Sequence, residues 1–518
     1  MSESSGRPGT IDSLLRAVTW RTVSVSLLSF AAGIPLGLVW IAIPDWMNSV
    51  GVDIRVVGAL SLAQAPWSFK FLWSPLMDRY TPPWWGRRRG WASLTQIAMA
   101  VLIFAVGGVG GHPDAAWVIA ALALAIGFAA ASHDIAIDAY AVEVLRKEEQ
   151  GIAVGARTAV YRAAMLLAGG YAISLAAEFS WQFVCAGLAL CYLPMLSVTW
   201  KAPEPPRDHA PPRSLREAVW LPFVGALRRH RALEILAFVV LYKLADNLSQ
   251  ALLRPFLENM GYSAFDRGFA FSTIGFLVTL AGTFIGGIAC TPLGLGRALW
   301  IFGGLQIFSN IGYVLITYDP GNRPLMYAAM SFEVFATGLG MGAFGVFLLR
   351  LTQKRFSATQ YALFSSLFGL PRILAGPATG FAVDALGWRT FFWITIAAGV
   401  PGLLFLQRFA PIGEREPRFE IEAATTSRSY SRSGLLLRGI AGGIVGFLLS
   451  TLLWSTLQAA KAVRAEGGAF DLPAALSTIL QPQNAGGALQ LLALVITGVI
   501  LGLMTAAVFA ARSANTES

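Results

Sequence analysis

The sequence predicts an all-α polytopic membrane protein: two six-helix halves of one design followed by two extra C-terminal helices, 14 spans in all. Three observations carry this. Hydrophobic residues make up 55% of the 518-residue chain and charged residues only 13%, about half the charge of a soluble chain. Apolar runs of about 20 residues, the length that crosses a bilayer as a helix, recur along the chain. The second block of six runs repeats the first at an offset of 210 residues. A soluble enzyme of this size has no interior for so much apolar surface, and disorder, collagen and a disulfide scaffold are excluded by the same composition. Cys185, Cys191 and Cys290 all fall inside apolar runs, with no CxxC, and read as buried thiols. Residues 1–21 are polar and the first apolar run is too long for a secretory signal.

Taken in order, the first half, 1–200, holds runs at roughly 22–46, 56–77, 91–110, 115–141, 152–177 and 181–200. Residues 201–231 are polar and carry Pro203, Pro205, Pro206, Pro211 and Pro212, which makes them a cytoplasmic linker and not a span. The second half, 232–410, holds runs at roughly 232–257, 268–291, 297–318, 324–350, 358–383 and 388–409. A charged cytoplasmic linker, 411–434, reads as a solvated tether. Residues 435–518 add spans near 435–457 and 487–510, with Gly439, Gly443, Gly498 and Gly502 at a spacing that lets helices approach closely. These two spans lie outside the repeat, so transport is expected to proceed without them.

Lys and Arg in short loops set membrane orientation. With the N-terminus inside, most of the 39 fall on the cytoplasmic side, and only Arg55, Arg267, Arg323, Arg389, Lys461 and Arg464 fall outside. Both termini are then cytoplasmic. The net charge of +10 is loop charge and calls for no nucleic-acid partner. At the 210-residue offset Trp46 falls on Phe256, Gly51 on Gly261, Gly58 on Gly268, Gln150 on Gln360 and Arg162 on Arg372. Parallel halves joined by a long cytoplasmic linker are the major facilitator plan, in which the halves rock about a midplane site.

A charge at mid-bilayer costs roughly 2.5–3.5 kcal/mol on insertion scales. This chain keeps Lys70, Arg157, Arg162, Lys243, Arg254 and Arg372 against Asp134, Asp138, Asp246 and Glu333. Helical rise places Lys70, Arg162, Lys243, Asp246, Glu333 and Arg372 in the middle layers, and these six are the candidate cargo-binding set. The excess of base suits an anionic cargo; Lys243 and Asp246, at i and i+3, also read as a structural pair. Asp134 and Asp138, at i and i+4, share a helix face, where two carboxylates resist joint ionisation and one becomes a plausible proton carrier. With the adjacent His133 they are the candidate coupling set, a salt bridge to Lys70 or Arg162 being the alternative. No HExxH, GxSxG or Cys–His arrangement supports an enzyme, and no metal or cofactor is called for.

The loop after the second run reads Ser74-Pro75-Leu76-Met77-Asp78-Arg79, then Gly86-Arg87-Arg88-Arg89. It is a stretched form of the facilitator signature G-x-x-x-D-R-x-G-R-R. Asp78, Arg79, Gly86, Arg87 and Arg88 are therefore the candidate gating residues, the acid pairing with a basic group or helix end of the other half. Gly33-Ile34-Pro35-Leu36-Gly37, Pro371-Arg372 and Gly376-Pro377 interrupt helices and mark moving parts.

In Lys70-Phe71-Leu72-Trp73-Ser74-Pro75-Leu76-Met77-Asp78-Arg79-Tyr80, Gly86-Arg87-Arg88-Arg89-Gly90-Trp91, Ala131-Ser132-His133-Asp134, Leu241-Tyr242-Lys243-Leu244, Phe356-Ser357-Ala358-Thr359-Gln360 and Gly376-Pro377, the chain resembles the muropeptide permease (AmpG-like) family. That family lies in the peptide and acetyl-coenzyme A transporter group of the major facilitators. The resemblance covers both halves. It implies a multi-pass protein of the bacterial inner membrane, a symporter driven by the proton gradient. The implied cargo is N-acetylglucosaminyl-1,6-anhydro-N-acetylmuramic acid with or without stem peptide, an anionic glycopeptide. Import would feed peptidoglycan recycling and β-lactamase induction, hence antibiotic resistance, and the lipid bilayer would be the only other partner of a monomer. His133 stands where the family has Gln, and Val334 where Asn follows the glutamate. A facilitator of the same fold for another anionic solute, such as acyl-coenzyme A or a peptide conjugate, is the competing expectation.

Overall fold

A computed structural model describes residues 17–52, 60–109, 115–205, 212, 214–419, 430–466, 470–483 and 485–512. The chain divides into two units, Met1–Ala218 with Leu233–Phe419, and Val219–Ala232 with Glu420–Ser518. In the first unit the helices are α1 (Trp20–Ser49), α2 (Ala65–Phe69), α3 (Ser74–Arg79), α4 (Arg87–Val109), α5 (Ala116–Val144), α6 (Gln150–Glu178) and α7 (Trp181–Lys201). Helix α8 (Leu215–Leu227) crosses from this unit into the other. The first unit resumes with α9 (Ala232–Leu241), α10 (Leu244–Ala251), α11 (Leu253–Asn259), α12 (Ala264–Leu293), α13 (Leu295–Ile316), α14 (Arg323–Leu351) and α15 (Ser357–Phe409). Helices α16 (Arg432–Glu466), α17 (Leu472–Leu480) and α18 (Ala485–Ala511) belong to the second unit.

Among the described residues 11 helices are long and apolar enough to cross a membrane. The predicted runs 56–77, 232–257 and 358–383 are not among them. The described part of the first opens as a 3-10 helix, Leu60–Gln64, and is broken again at the 3-10 turn Lys70–Leu72 between α2 and α3. The second is broken at Lys243, whose φ of −107° and ψ of 10° end α9 and start α10, and again at Leu252. In both, the break falls at a buried lysine. The third is the first arm of α15, set apart by Thr359, Gln360, Ser365, Ser366 and Arg372. Gly387, at φ +76°, divides that arm from the second, a backbone angle open to glycine and strained for other residues. Helix α1 carries a π-turn at Leu38–Ala42, just beyond Pro35, which lacks the N–H to continue a regular ladder.

Within a bilayer the drive to pack comes from close backbone approach more than from apolar burial. Each half shows it. In the first, a Cβ on Gly33 or Gly37 of α1 would lie 2.2 Å from the carbonyl oxygens of Tyr161 and Met165 on α6. In the second, Gly282 and Gly286 of α12 meet the carbonyls of Phe335 and Leu339 on α14 in the same way. Each half has its own apolar core, around Trp46, Ile103, Ile126 and Tyr192 in the first and around Phe256, Tyr313 and Phe392 in the second. Between the halves Gly151 of α6 lies flat against Gly287 of α12: a Cβ on either would come within 2.4–2.5 Å of the other's carbonyl oxygen.

The start of the second linker is held, not solvated throughout. The N–H of Gly296 donates to Arg415 O at 2.9 Å, Arg350 pairs with Glu416, and Phe419 packs edge-on to Phe347 at 5.6 Å. Residues 420–429 lie outside the described residues. In the second unit α16 and α18 pack along their glycines, where a Cβ on Gly502 would meet Gly439 O at 2.6 Å. The linker 201–231 contains a feature its prolines conceal, helix α8. Its Trp220, Phe223, Val224 and Leu227 form one apolar stripe that packs on Ala507, Ala510 and Ala511 of α18 and Leu435 of α16.

Candidate functional site

Three polar clusters lie inside the first unit. The first is centred on Asp138 of α5. Its Oδ2 accepts from Lys70 Nζ at 3.3 Å and its Oδ1 from Arg157 Nη2 at 2.6 Å. The break at Lys70–Leu72 is what delivers the lysine: it turns the ammonium into the bundle, onto α5. Asp134, one helical turn before Asp138, stands within electrostatic reach of Lys70, Arg157 and Asp138, and Tyr361 of α15 stands beside Arg157 from the other half. His133 is not in this cluster. Fully buried, its ring bonds Thr95 Oγ1 at 2.9 Å and lies 3.5 Å from Leu28 O, because the next residue on a helix points about 100° away. Arg162 is half-buried on α6, beside Tyr161.

The second cluster lies wholly in the second half. Lys243 Nζ donates to Asp246 Oδ2 at 2.7 Å, to Thr337 O at 3.0 Å and to Gln306 Oε1. The i,i+3 pair that the spacing allowed is therefore formed. Thr337 Oγ1 lies 2.9 Å from Asp246 Oδ2 and 3.1 Å from Glu333 Oε1, bridging the two acids. Glu333, with no exposed surface, takes its other bonds from the neutral donors Gln250 Nε2 at 3.0 Å and Tyr313 OH at 3.1 Å. Arg372 lies on α15, its side chain outside the described ones. The six candidates therefore do not meet at one point: Lys70 belongs to the first cluster, and Lys243, Asp246 and Glu333 to the second.

The third cluster joins the halves at the end of the bundle that carries Arg87–Arg89, Arg146, Lys354 and Arg355, here called the basic end. Asp78 is fully buried. It accepts from Arg88 Nη2 at 2.6 Å, from the N–H groups of Ala358 and Thr359 at 3.3 and 2.8 Å, and from Thr359 Oγ1 at 2.7 Å. The acid thus caps the N-terminus of α15, whose free N–H groups and dipole favour an anion. The other face of Arg88 meets Glu143, which also takes Arg87 Nη2 at 3.0 Å and the Ser357 hydroxyl at 2.5 Å. Gly86, at φ +81°, turns the chain into α4 against the Glu204 carboxylate. Arg79 lies over the Tyr80 ring, at 5.2 Å.

Sequence reasoning passed over Glu143, which stands five residues beyond Asp138 and reads as a helix-end charge. It passed over Gln306 as well, although the 210-residue offset sets it on Gln96, itself fully buried and bonded to Thr199. What the arrangement does chemically is hold buried charge in partly balanced clusters on either side of the half interface, with an ion-pair and hydrogen-bond cluster joining the halves at the basic end.

Similarity to known proteins agrees with this geometry. The model of the Major Facilitator Superfamily matches residues 25–376. The chain is 41% identical over 388 residues to the anhydromuropeptide permease of Escherichia coli K12, covering 74% of this chain and 79% of that one. It is 31% identical over 406 residues to an uncharacterized protein of Haemophilus influenzae, covering 76% of this chain and 95% of that one. About a quarter of the present chain thus has no counterpart in the Haemophilus protein. The human organic anion transporter MFSD10 superposes with a TM-score of 0.58 at 15% identity, over 77% of this chain and all of its own, a likeness of fold.

Proposed function

Because the chain belongs to the major facilitator superfamily and within it to the muropeptide permease (AmpG-like) family, we propose that it imports anhydromuropeptides across the bacterial inner membrane as a proton symporter. The observation that carries the cargo is the 41% identity to the Escherichia coli anhydromuropeptide permease across four fifths of that protein. The buried basic groups Lys70, Arg157 and Lys243 suit the carboxylates of a stem peptide. The basic end is the cytoplasmic one, which puts the lock of Asp78 and Arg88 on α15 at the inner face, and rocking opens and closes it. Asp134 is the coupling carboxylate, with Asp138 and Glu333 in reserve. No cofactor takes part, and the protein acts as a monomer.

The test is uptake of radiolabelled N-acetylglucosaminyl-1,6-anhydro-N-acetylmuramyl-tripeptide by proteoliposomes under an inward proton gradient. Accumulation that an uncoupler collapses and that acyl-coenzyme A does not compete is expected. Uptake of an acyl-coenzyme A in its place overturns the cargo, and accumulation indifferent to the uncoupler overturns the coupling.

A further inference from the structure

We propose that Lys70 and Arg157 form the subsite for a carboxylate of the cargo and that Asp134 is the anion this carboxylate replaces, so that a proton on Asp134 and the cargo's negative charge enter together. The proposal rests on the symport reading and gives it a place and an exchange rule.

Two cations and two carboxylates make up the cluster, and the carboxylates are not equivalent. Asp138 is committed through both oxygens, one to each cation, at 2.6 and 3.3 Å, and its side chain is 8% exposed. Asp134 bonds neither cation, yet lies within electrostatic reach of both. It is also the one partly exposed residue in an otherwise buried stretch of α5 from 130 to 145. An ionisable group partly open within a span faces the bundle interior or a cavity far more often than lipid. Asp138 is thus a fixed bridge, and Asp134 is the exchangeable counter-charge.

Arg157 is the more open cation, 18% exposed against 8% for Lys70, and a single N–H fixes it to Asp138. A guanidinium carries five donors in a planar fork, so Arg157 retains the geometry to grip a second carboxylate in bidentate fashion. The groups that face Asp134 from the surrounding elements are Lys70 from the α2–α3 turn, Asp138 from its own helix, Arg157 and Tyr161 from α6 with Arg162 next along it, and Tyr361 from α15. With Asp134 ionised, Lys70 and Arg157 are matched by Asp134 and Asp138, and an incoming carboxylate would be a third anion on this pair. With Asp134 protonated the cluster carries one surplus positive charge, which the cargo's carboxylate neutralises. Occupancy of the subsite then takes up one proton. Tyr361 belongs to the other half, so filling the subsite is felt at the half interface.

The test is binding of the muramyl-tripeptide to purified protein in nanodiscs by calorimetry from pH 5.5 to 8. One linked proton makes wild-type affinity fall by up to about tenfold per pH unit. Asp134→Asn is expected to bind with the wild-type low-pH affinity at every pH. Arg157→Gln is expected to lose at least about 30-fold, with partial recovery in Arg157→Lys, which keeps the charge without the fork and guards against a folding defect. A cargo whose carboxylates are amidated should bind without pH dependence. A pH slope that persists in Asp134→Asn, or wild-type affinity in Arg157→Gln, overturns the subsite and leaves the cargo standing. A wild type that binds no muropeptide at any pH overturns the cargo reading and this proposal together.

Discussion

Removing one hydroxyl from the lock at the basic end should move the balance between closed and open halves by about tenfold. In Thr359→Val the shape is kept and the O–H that donates to Asp78 at 2.7 Å is lost. A hydrogen bond to a charged group contributes about 1.5–3 kcal/mol net. Here Asp78 keeps three donors, Arg88 and the N–H groups of Ala358 and Thr359. No buried charge is therefore left bare, and the low end, about 1.5 kcal/mol, applies; that is about one decade in the equilibrium. Asp78→Asn must shift it further, because it also removes one of the two carboxylates paired with the fully buried Arg88, leaving Glu143 alone. The assay is the distance between spin labels at Lys147→Cys and Lys354→Cys, both exposed, at the basic ends of opposite halves. The open population should rise about tenfold relative to closed in Thr359→Val and stay put in Thr359→Ser, which retains the hydroxyl. An unchanged distance distribution in Thr359→Val, or an equal shift in Thr359→Ser, refutes the reasoning.

Other outcomes follow from the same contacts. His133→Gln should leave uptake and its pH profile as in wild type, since the ring bonds Thr95 and not Asp134 or Asp138; a displaced pH profile would return His133 to the mechanism. Lys243→Met should cost about 3–5 kcal/mol of stability by leaving Asp246 buried without its cation, and the double change with Asp246→Leu should restore the melting temperature without restoring uptake. Gly287→Ala should deplete the closed state in the same spin-label measurement, because its Cβ would meet Gly151 O at 2.5 Å. A chain ending after Phe419 should transport with lowered thermal stability, whereas one ending at Glu414 should be weaker still for want of the Arg350–Glu416 pair and the Phe347–Phe419 contact.

Eleven of the 14 expected spans, among the described residues, and the facilitator fold were legible because hydrophobic run length and a 210-residue offset are one-dimensional signals. A helix end of the other half, expected as a partner of Asp78, is among the partners it has, together with Arg88 of its own half. Pairings set by how helices face one another were not legible. Nothing in the spacing says that Lys70 and Arg157 share Asp138, or that Glu333 is held by Gln250, Tyr313 and Thr337. Adjacency also misled: His133 follows Ser132 and precedes Asp134 in the chain but looks to another helix. Helix α8 was readable in principle. Trp220, Phe223, Val224 and Leu227 stand at i, i+3, i+4 and i+7, an amphipathic stripe masked by the surrounding prolines and by Pro222 inside it.

The contact of Gly151 with Gly287 is a joint made of two bare backbones. Side chains that interlock act as teeth, and to move past one another they must first disengage. The two glycines carry none, and the teeth stand to either side, Thr291 beside Gly151 and Phe284 against Gly155 one turn on. The joint sets how closely the two helices approach in this arrangement, and a Cβ on either glycine would hold them apart. Which arrangement prevails is then left to groups that can be charged, discharged or occupied, which is what the proposed symport requires.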